Sequence, residues 1–226
     1  MSVKYHTDVI QGSEEWHALR CGILTASEMK LILTPTLKVA SNDKERSHLY
    51  ELLAQRITGY VEPRYISDDM LRGKDDEIEA RILYGKNYAE VTECGFITND
   101  DLGFIIGYSP DGLVGDDGMI ECKSRCQKYQ IETIITDEVP SEYMLQLQTG
   151  LFVTGRKWID FVSYCGGLPL YVRRVYPDAV IIQAITEAAR SFEERLTAAR
   201  QKYNGWTECQ SLLVETERKI EEEMTL

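Results

Sequence analysis

The stretch YSPDGLVGDDGMIECKSR, residues 108–125, sets a Pro-Asp pair, nine residues and then Glu-Cys-Lys inside apolar runs joined by an Asp/Gly turn. The runs read as two strands of a hairpin closed around Asp116-Asp117-Gly118. Side chains alternate faces along a strand. Over 119–124, Glu121 and Lys123 therefore share one face, and Ile120 and Cys122 the other. Asp111 ends the preceding strand just after the rigid Pro110, so the hairpin brings it to Glu121. Two carboxylates this close repel unless a cation lies between them. A hard divalent ion such as Mg²⁺ suits oxygen-only ligands and keeps waters and a phosphate oxygen. Lys123 beside it can orient or deprotonate a water, or stabilise charge on an attacked phosphate. A bare Glu-x-Lys triplet also reads as an exposed ion pair worth little. A calcium loop does not fit, because positions 113 and 115 are Leu and Gly. The Pro-Asp turn and the apolar flanks favour the metal reading.

Outward from the hairpin, the pattern is helical before it and mixed after it. Thr25-Ala26-Ser27-Glu28 has capping-box spacing, which predicts a helix starting near Ala26. Asn42 is placed to cap a helix to Thr58, with Leu49, Leu52, Leu53 and Ile57 at helical spacing and Gly59 as the stop. Ser67 opens another to about Tyr84, with Ile78 and Ile82 on its apolar side and Gly85 behind it. Residues 88–98, 103–108 and 119–124 read as strands. Ser141 is expected to cap a helix to about Val153, bearing Tyr143, Met144, Leu147 and Leu151 on its apolar side. Residues 158–165 and 170–176 read as a hairpin, and a long helix follows over about 178–203. The expected fold is α/β, a central mixed β-sheet flanked by helices. One domain spans 1–226, with a catalytic core over about 16–203 and an acidic helical tail over about 206–226, suited to a surface helix or an oligomer contact.

Composition narrows the classes. No run of about 18 apolar residues is present, which argues against a membrane-spanning helix. The N-terminal segment lacks the apolar region of a secretory signal. Six scattered cysteines and three histidines do not make a structural zinc site, and reduced thiols in a cytoplasmic setting fit best. The net charge of −12 argues against a general nucleic-acid coat protein, though not against an enzyme that meets DNA in a local cleft.

Pro110-Asp111 followed by Glu121-Cys122-Lys123 resembles the PD-(D/E)xK nuclease signature. With WHALRCGILTASE (16–28), RGKDDEIEAR (72–81) and EYMLQLQTGLFVT (142–154), the order and spacing resemble the lambda phage exonuclease family of viral recombination nucleases. The resemblance implies a Mg²⁺-dependent 5′→3′ exonuclease on linear double-stranded DNA, with two ions and Mn²⁺ as an alternative. It implies mononucleotide products and a 3′-ended single strand. It further implies a ring-shaped homotrimer, a partner single-strand annealing protein and a phage or prophage origin in a bacterial cytoplasm.

Under the same resemblance Asp111, Glu121 and the main-chain carbonyl of Cys122 hold a metal, and Lys123 positions the attacking water and helps it lose a proton. Glu77 supports a second ion or its waters, although Asp75, Asp76 and Glu79 compete on pattern alone. Gln146 lies near the scissile phosphate, with Gln148 as its competitor. Arg20 and Ser27 match a pocket for the 5′-phosphate. An arginine fork suits phosphate, and Ser27 lies in a first helical turn that favours anions. Ser109 is placed to add a hydroxyl, and Trp16 reads as a core anchor. Cys122 as a nucleophile is disfavoured by its strand face. A restriction- or repair-type endonuclease, or a non-catalytic DNA-end binding module, would use the same residues differently.

Overall fold

The computed structural model describes residues 2–63, 67–209 and 213–218, and the backbone alone at 68–70. Strand β1 (Val3–His6) is followed by α1 (Glu14–Arg20), capped where the Ser13 hydroxyl accepts the Trp16 N–H at 3.2 Å. Strand β2 (Leu24–Thr25) runs into a 3₁₀ turn, Ala26–Glu28, and α2 (Met29–Ile32). The expected capping box forms: Glu28 Oε2 accepts the Thr25 N–H at 3.2 Å and the Thr25 hydroxyl at 2.7 Å. Helix α3 (Asp43–Thr58) starts at Asn42, whose side chain accepts the Glu45 N–H, and ends at Gly59 in the left-handed region.

Helix α4 (Asp68–Asn87) follows Ser67 but runs through Gly85. Its buried side is Ala80 and Tyr84, whereas Ile78 and Ile82 are 48% and 43% exposed. The Tyr84 hydroxyl donates to buried Asp160 at 2.7 Å, so a tertiary contact selects the face that hydropathy misassigned. Ile57 is likewise exposed. The strand expected over 88–98 shrinks to β3 (Phe96–Asn99). Before it the chain must pass close to the segment at Val9, where a Cβ on Gly95 would lie 1.9 Å from a carbonyl oxygen.

Then come β4 (Ile106–Tyr108), β5 (Gly112–Val114), β6 (Gly118–Ser124), α5 (Gln127–Thr136) and α6 (Ser141–Thr154). Next are β7 (Trp158–Tyr164), β8 (Tyr171–Val175) and α7 (Ala179–Cys209). Helix α6 begins after Pro140 rather than at a Ser141 cap. Residues 213–218 form no helix, contrary to the expected helical tail, and residues 210–212 and 219–226 lie outside the described residues.

The expected α/β fold of mixed sheet flanked by helices is present, its strands divided between two four-stranded mixed sheets in the orders β1-β3-β4-β2 and β5-β6-β7-β8. Strands β6 and β7 are parallel from Gly118↔Trp158 to Ser124↔Tyr164, and α5 and α6 provide the crossover between them. One face of this second sheet packs Ile120, Cys122 and Val162 against Ala80 and Tyr84 of α4. The other turns Met119, Ile159 and Phe161 into the main core with Leu147 and Leu151 of α6. The sequence link Ser109-Pro110-Asp111 carries the chain from the first sheet to the second, and the site assembles there.

Candidate active site

Strand alternation places Glu121 and Lys123 on the α6 side of β6, while the Cys122 side chain enters the α4 cluster. Glu121 is 2% exposed and surrounded by donors. Its Oε1 accepts Lys123 Nζ at 2.6 Å and Gln146 Nε2 at 2.5 Å, and its Oε2 accepts the Tyr108 hydroxyl at 2.6 Å. Asp111 Oδ2 accepts the Cys122 N–H at 2.6 Å. The β5–β6 register pairs Gly112 with Ile120, and its continuation sets Pro110 opposite Cys122. Proline has no N–H to offer the Cys122 carbonyl. The Pro110 carbonyl accepts Gln11 Nε2 at 2.7 Å instead, so the ladder ends here and the Asp111 carboxylate takes the Cys122 N–H in place of a main-chain acceptor.

The electrostatics are those of crowded acids. Burial first, and the Glu121 charge second, push the Asp111 carboxyl well above its ordinary range, against the pull of Lys123. Burial also raises Glu77; Lys123 offsets this and Glu121 adds to it. Glu77 is therefore within the field of the Glu121–Lys123 pair. Asp76 instead accepts the Ser124 hydroxyl, and Glu79 is exposed. Gln148 is also occupied elsewhere: its amide donates to the Tyr176 carbonyl and accepts the Asp178 N–H. Burial disfavours the Lys123 ammonium, but Glu121 and Asp111 outweigh burial and hold it above the usual lysine range. Lys123 thus keeps its proton in this arrangement and acts as a hydrogen-bond donor to Glu121, not as a base. The Cys122 thiol is raised by burial and then by Asp111, and is far from a nucleophilic thiolate.

Could these residues hold a metal? Among the described residues, no three His, Cys, Asp or Glu side chains are grouped so that they could hold a metal ion by themselves, so a cation here would need main-chain, water or phosphate oxygens as well. The donors are carboxylate and main-chain oxygens, with more negative charge than Lys123 neutralises. That set fits a hard cation that keeps waters and takes phosphate oxygens, and it does not fit zinc.

A second cluster adjoins the first. Ser109 Oγ accepts Arg20 Nη1 at 3.2 Å and Trp16 Nε1 at 3.0 Å. Arg20 Nη2 donates to Thr25 Oγ1 at 3.4 Å, and Ser27 Oγ lies 3.3 Å from that oxygen. The Arg20 guanidinium stacks 4.2 Å above the Trp16 ring, and the indole N–H also reaches the Gly95 carbonyl. Arg20, Ser27 and Ser109, spread over 90 residues of sequence, are brought together around Thr25.

Sequence reasoning missed Tyr108, Thr25 as a side chain of this cluster, and Arg125. Arg125 continues the 121, 123, 125 alternation, has a side chain only 8% exposed, and donates to both Glu142 and the Tyr143 hydroxyl at 2.8 Å. Period-two counting past the end of β6 would have found it. Tyr108 carries no comparable signal, because its partner Glu121 lies in the other sheet.

Residues 15–157 match the YqaJ-like viral recombinase domain. The alkaline exonuclease LHK-Exo from Laribacter hongkongensis is 34% identical, over 87% of this chain and 98% of that one, with a TM-score of 0.77. Its structure in complex with dAMP matches at 36% identity with the same coverage and TM-score. A phage-related exonuclease from Haemophilus somnus is 15% identical over 78% of this chain and 96% of that one, with a TM-score of 0.51, and shares the fold. No curated protein matches the chain.

Proposed function

Because the chain belongs to the YqaJ-like viral recombinase domain family, we propose that it is a Mg²⁺-dependent deoxyribonuclease that digests one strand of linear duplex DNA from its 5′ end. The observation that carries this reading is the linkage of the two clusters. Ser109, held by Arg20, is two residues from Asp111, a chain span of at most ~7 Å. An end phosphate seated on Arg20, Ser27 and Ser109 would lie about one nucleotide from the carboxylates. A site that cuts within a strand needs no such cradle.

Asp111, Glu121 and the Cys122 carbonyl would hold the ion, with Glu77 supporting a second ion or its waters. The ion, Mg²⁺ or Mn²⁺, would polarise the scissile phosphate and make bound water more acidic. Lys123, an ammonium paired with Glu121 at 2.6 Å and the more exposed of the two, would orient the attacking water by hydrogen bonding and stabilise charge on the phosphate. Gln146 would hold Glu121 from α6. Arg20 would give the end phosphate a charge-assisted fork, with the Ser27 and Ser109 hydroxyls completing it. Mononucleotides and a 3′-ended strand are the products. The dAMP complex of a relative at 36% identity supports a mononucleotide as product. A homotrimeric ring around DNA and a single-strand annealing partner complete the proposal.

The test compares linear and covalently closed duplexes, with Mg²⁺ and with EDTA. Digestion of the linear form alone, and with Mg²⁺ alone, is expected. Efficient cutting of closed circles would point to an endonuclease, and end binding without nucleotide release would point to a non-catalytic module.

A further inference from the structure

Glycine in a helix interior is unfavourable relative to alanine, yet α6 carries Gly150 within its C-terminal half, buried. The reason lies in β4. A Cβ at position 150 would sit 2.9 Å from both Cε1 and Cζ of Tyr108, too close for the two to coexist unmoved. Only a residue without a side chain lets the Tyr108 ring lie against the helix backbone. In that position the ring is 1% exposed, and its hydroxyl donates to Glu121 Oε2 at 2.6 Å. One turn earlier on the same face of α6, Gln146 donates to Glu121 Oε1. The Gln-Leu-Gln-Thr-Gly run at 146–150 thus serves both oxygens of one carboxylate, one directly and one through a tyrosine from the other sheet.

We propose that Tyr108 and Gly150 are positioning residues for Glu121. Together they fix the carboxylate oxygen that faces a metal. A carboxylate has about four acceptor positions. Lys123 and Gln146 occupy two on Oε1, and Tyr108 occupies one on Oε2. The remaining position is on Oε2, the oxygen whose orientation the tyrosine sets. The same ring without the hydroxyl would leave Oε2 unheld while Lys123 and Gln146 still hold Oε1, weakening the metal site without touching the DNA-end cradle. The inference rests on Glu121 being a metal ligand, as proposed above.

The test is Mn²⁺ binding by titration calorimetry without DNA, on the full chain, for wild type, Tyr108→Phe, Gly150→Ala and the double variant. Outer partners of metal ligands are typically worth about 10–100-fold in affinity. Tyr108→Phe and Gly150→Ala are each expected to weaken Mn²⁺ binding by about 10-fold or more. The double variant is expected to be little worse than the poorer single one, because both act through one hydroxyl. Binding to 5′-phosphorylated ends in EDTA should stay at the wild-type level. Wild-type Mn²⁺ affinity in folded Tyr108→Phe would overturn the inference while leaving the proposed activity standing. If Tyr108→Phe does not fold, unchanged affinity in Gly150→Ala would overturn it in the same way. Failure of wild type itself to bind Mn²⁺ would overturn both.

Discussion

At the scale of single residues, the site stores an imbalance. Asp111 is pushed up by burial and by Glu121, so its charged form is disfavoured in the metal-free fold. A carboxylate raised on folding costs nothing below its unfolded value, ordinarily about 3.8. The cost grows as pH rises toward the raised value, and it is fully present above it. Asp111→Asn keeps an oxygen for the Cys122 N–H and removes the charge. In EDTA at neutral pH this variant is expected to melt about 2–4 °C above wild type, the shift about 1 kcal/mol gives in a chain of this size. The gain should shrink as pH falls toward about 4. Thermal melts across that range check it, and a variant less stable than wild type at neutral pH would contradict it. The same substitution should abolish nucleotide release, so the aspartate lowers stability where it serves the chemistry.

At the scale of elements, what was legible depended on how local the cause was. The hairpin, the Thr25–Glu28 box and the Asn42 cap are set by residues within a few positions, and all were read from sequence. The buried side of α4 was not, because it is chosen by Asp160 of β7, 76 residues beyond Tyr84. Helix α5 was missed for a similar reason. Its Ile131, Ile134 and Ile135 are exposed, while buried Gln130 bonds to Ser163 and to the Pro169 carbonyl, so hydropathy points the wrong way. Glu77 could not be separated from Asp76 by pattern. The fold separates them, because Ser124 takes Asp76 and leaves Glu77 in the field of Lys123. Asp160 joins α4 to β7 and β8: it accepts Tyr84 at 2.7 Å and both arms of Arg174 at 2.8 and 2.9 Å. Arg174 in turn stacks 3.5 Å above Trp158. Asp160→Ala is expected to cost about 2–3 kcal/mol in denaturant unfolding, less than a fully buried pair because Arg174 keeps partial solvent contact. A loss under about 0.5 kcal/mol would mean that α4 is held by apolar packing alone.

At the scale of the whole molecule, a net charge of −12 is unsuited to general attraction to DNA, so the proposed activity depends on a local site. Arg20 stands at the junction of the two sheets beside the Asp111–Glu121–Lys123 cluster, whose surplus negative charge calls for a cation before a phosphate, and the net acidity opposes non-specific coating of DNA. Among the described residues no helix is long and apolar enough to cross a membrane. The six cysteines are free thiols. The account stands on one measurement above the others: release of the 5′-terminal nucleotide from linear duplexes in Mg²⁺, with 5′-phosphate or 5′-hydroxyl ends, by wild type and by Arg20→Ala. The account predicts release from the 5′ end, faster for phosphorylated ends, with the variant losing that preference by about 10-fold because one charge-assisted contact is gone. Release from the 3′ end, or an equal loss by the variant on both kinds of end, would contradict it.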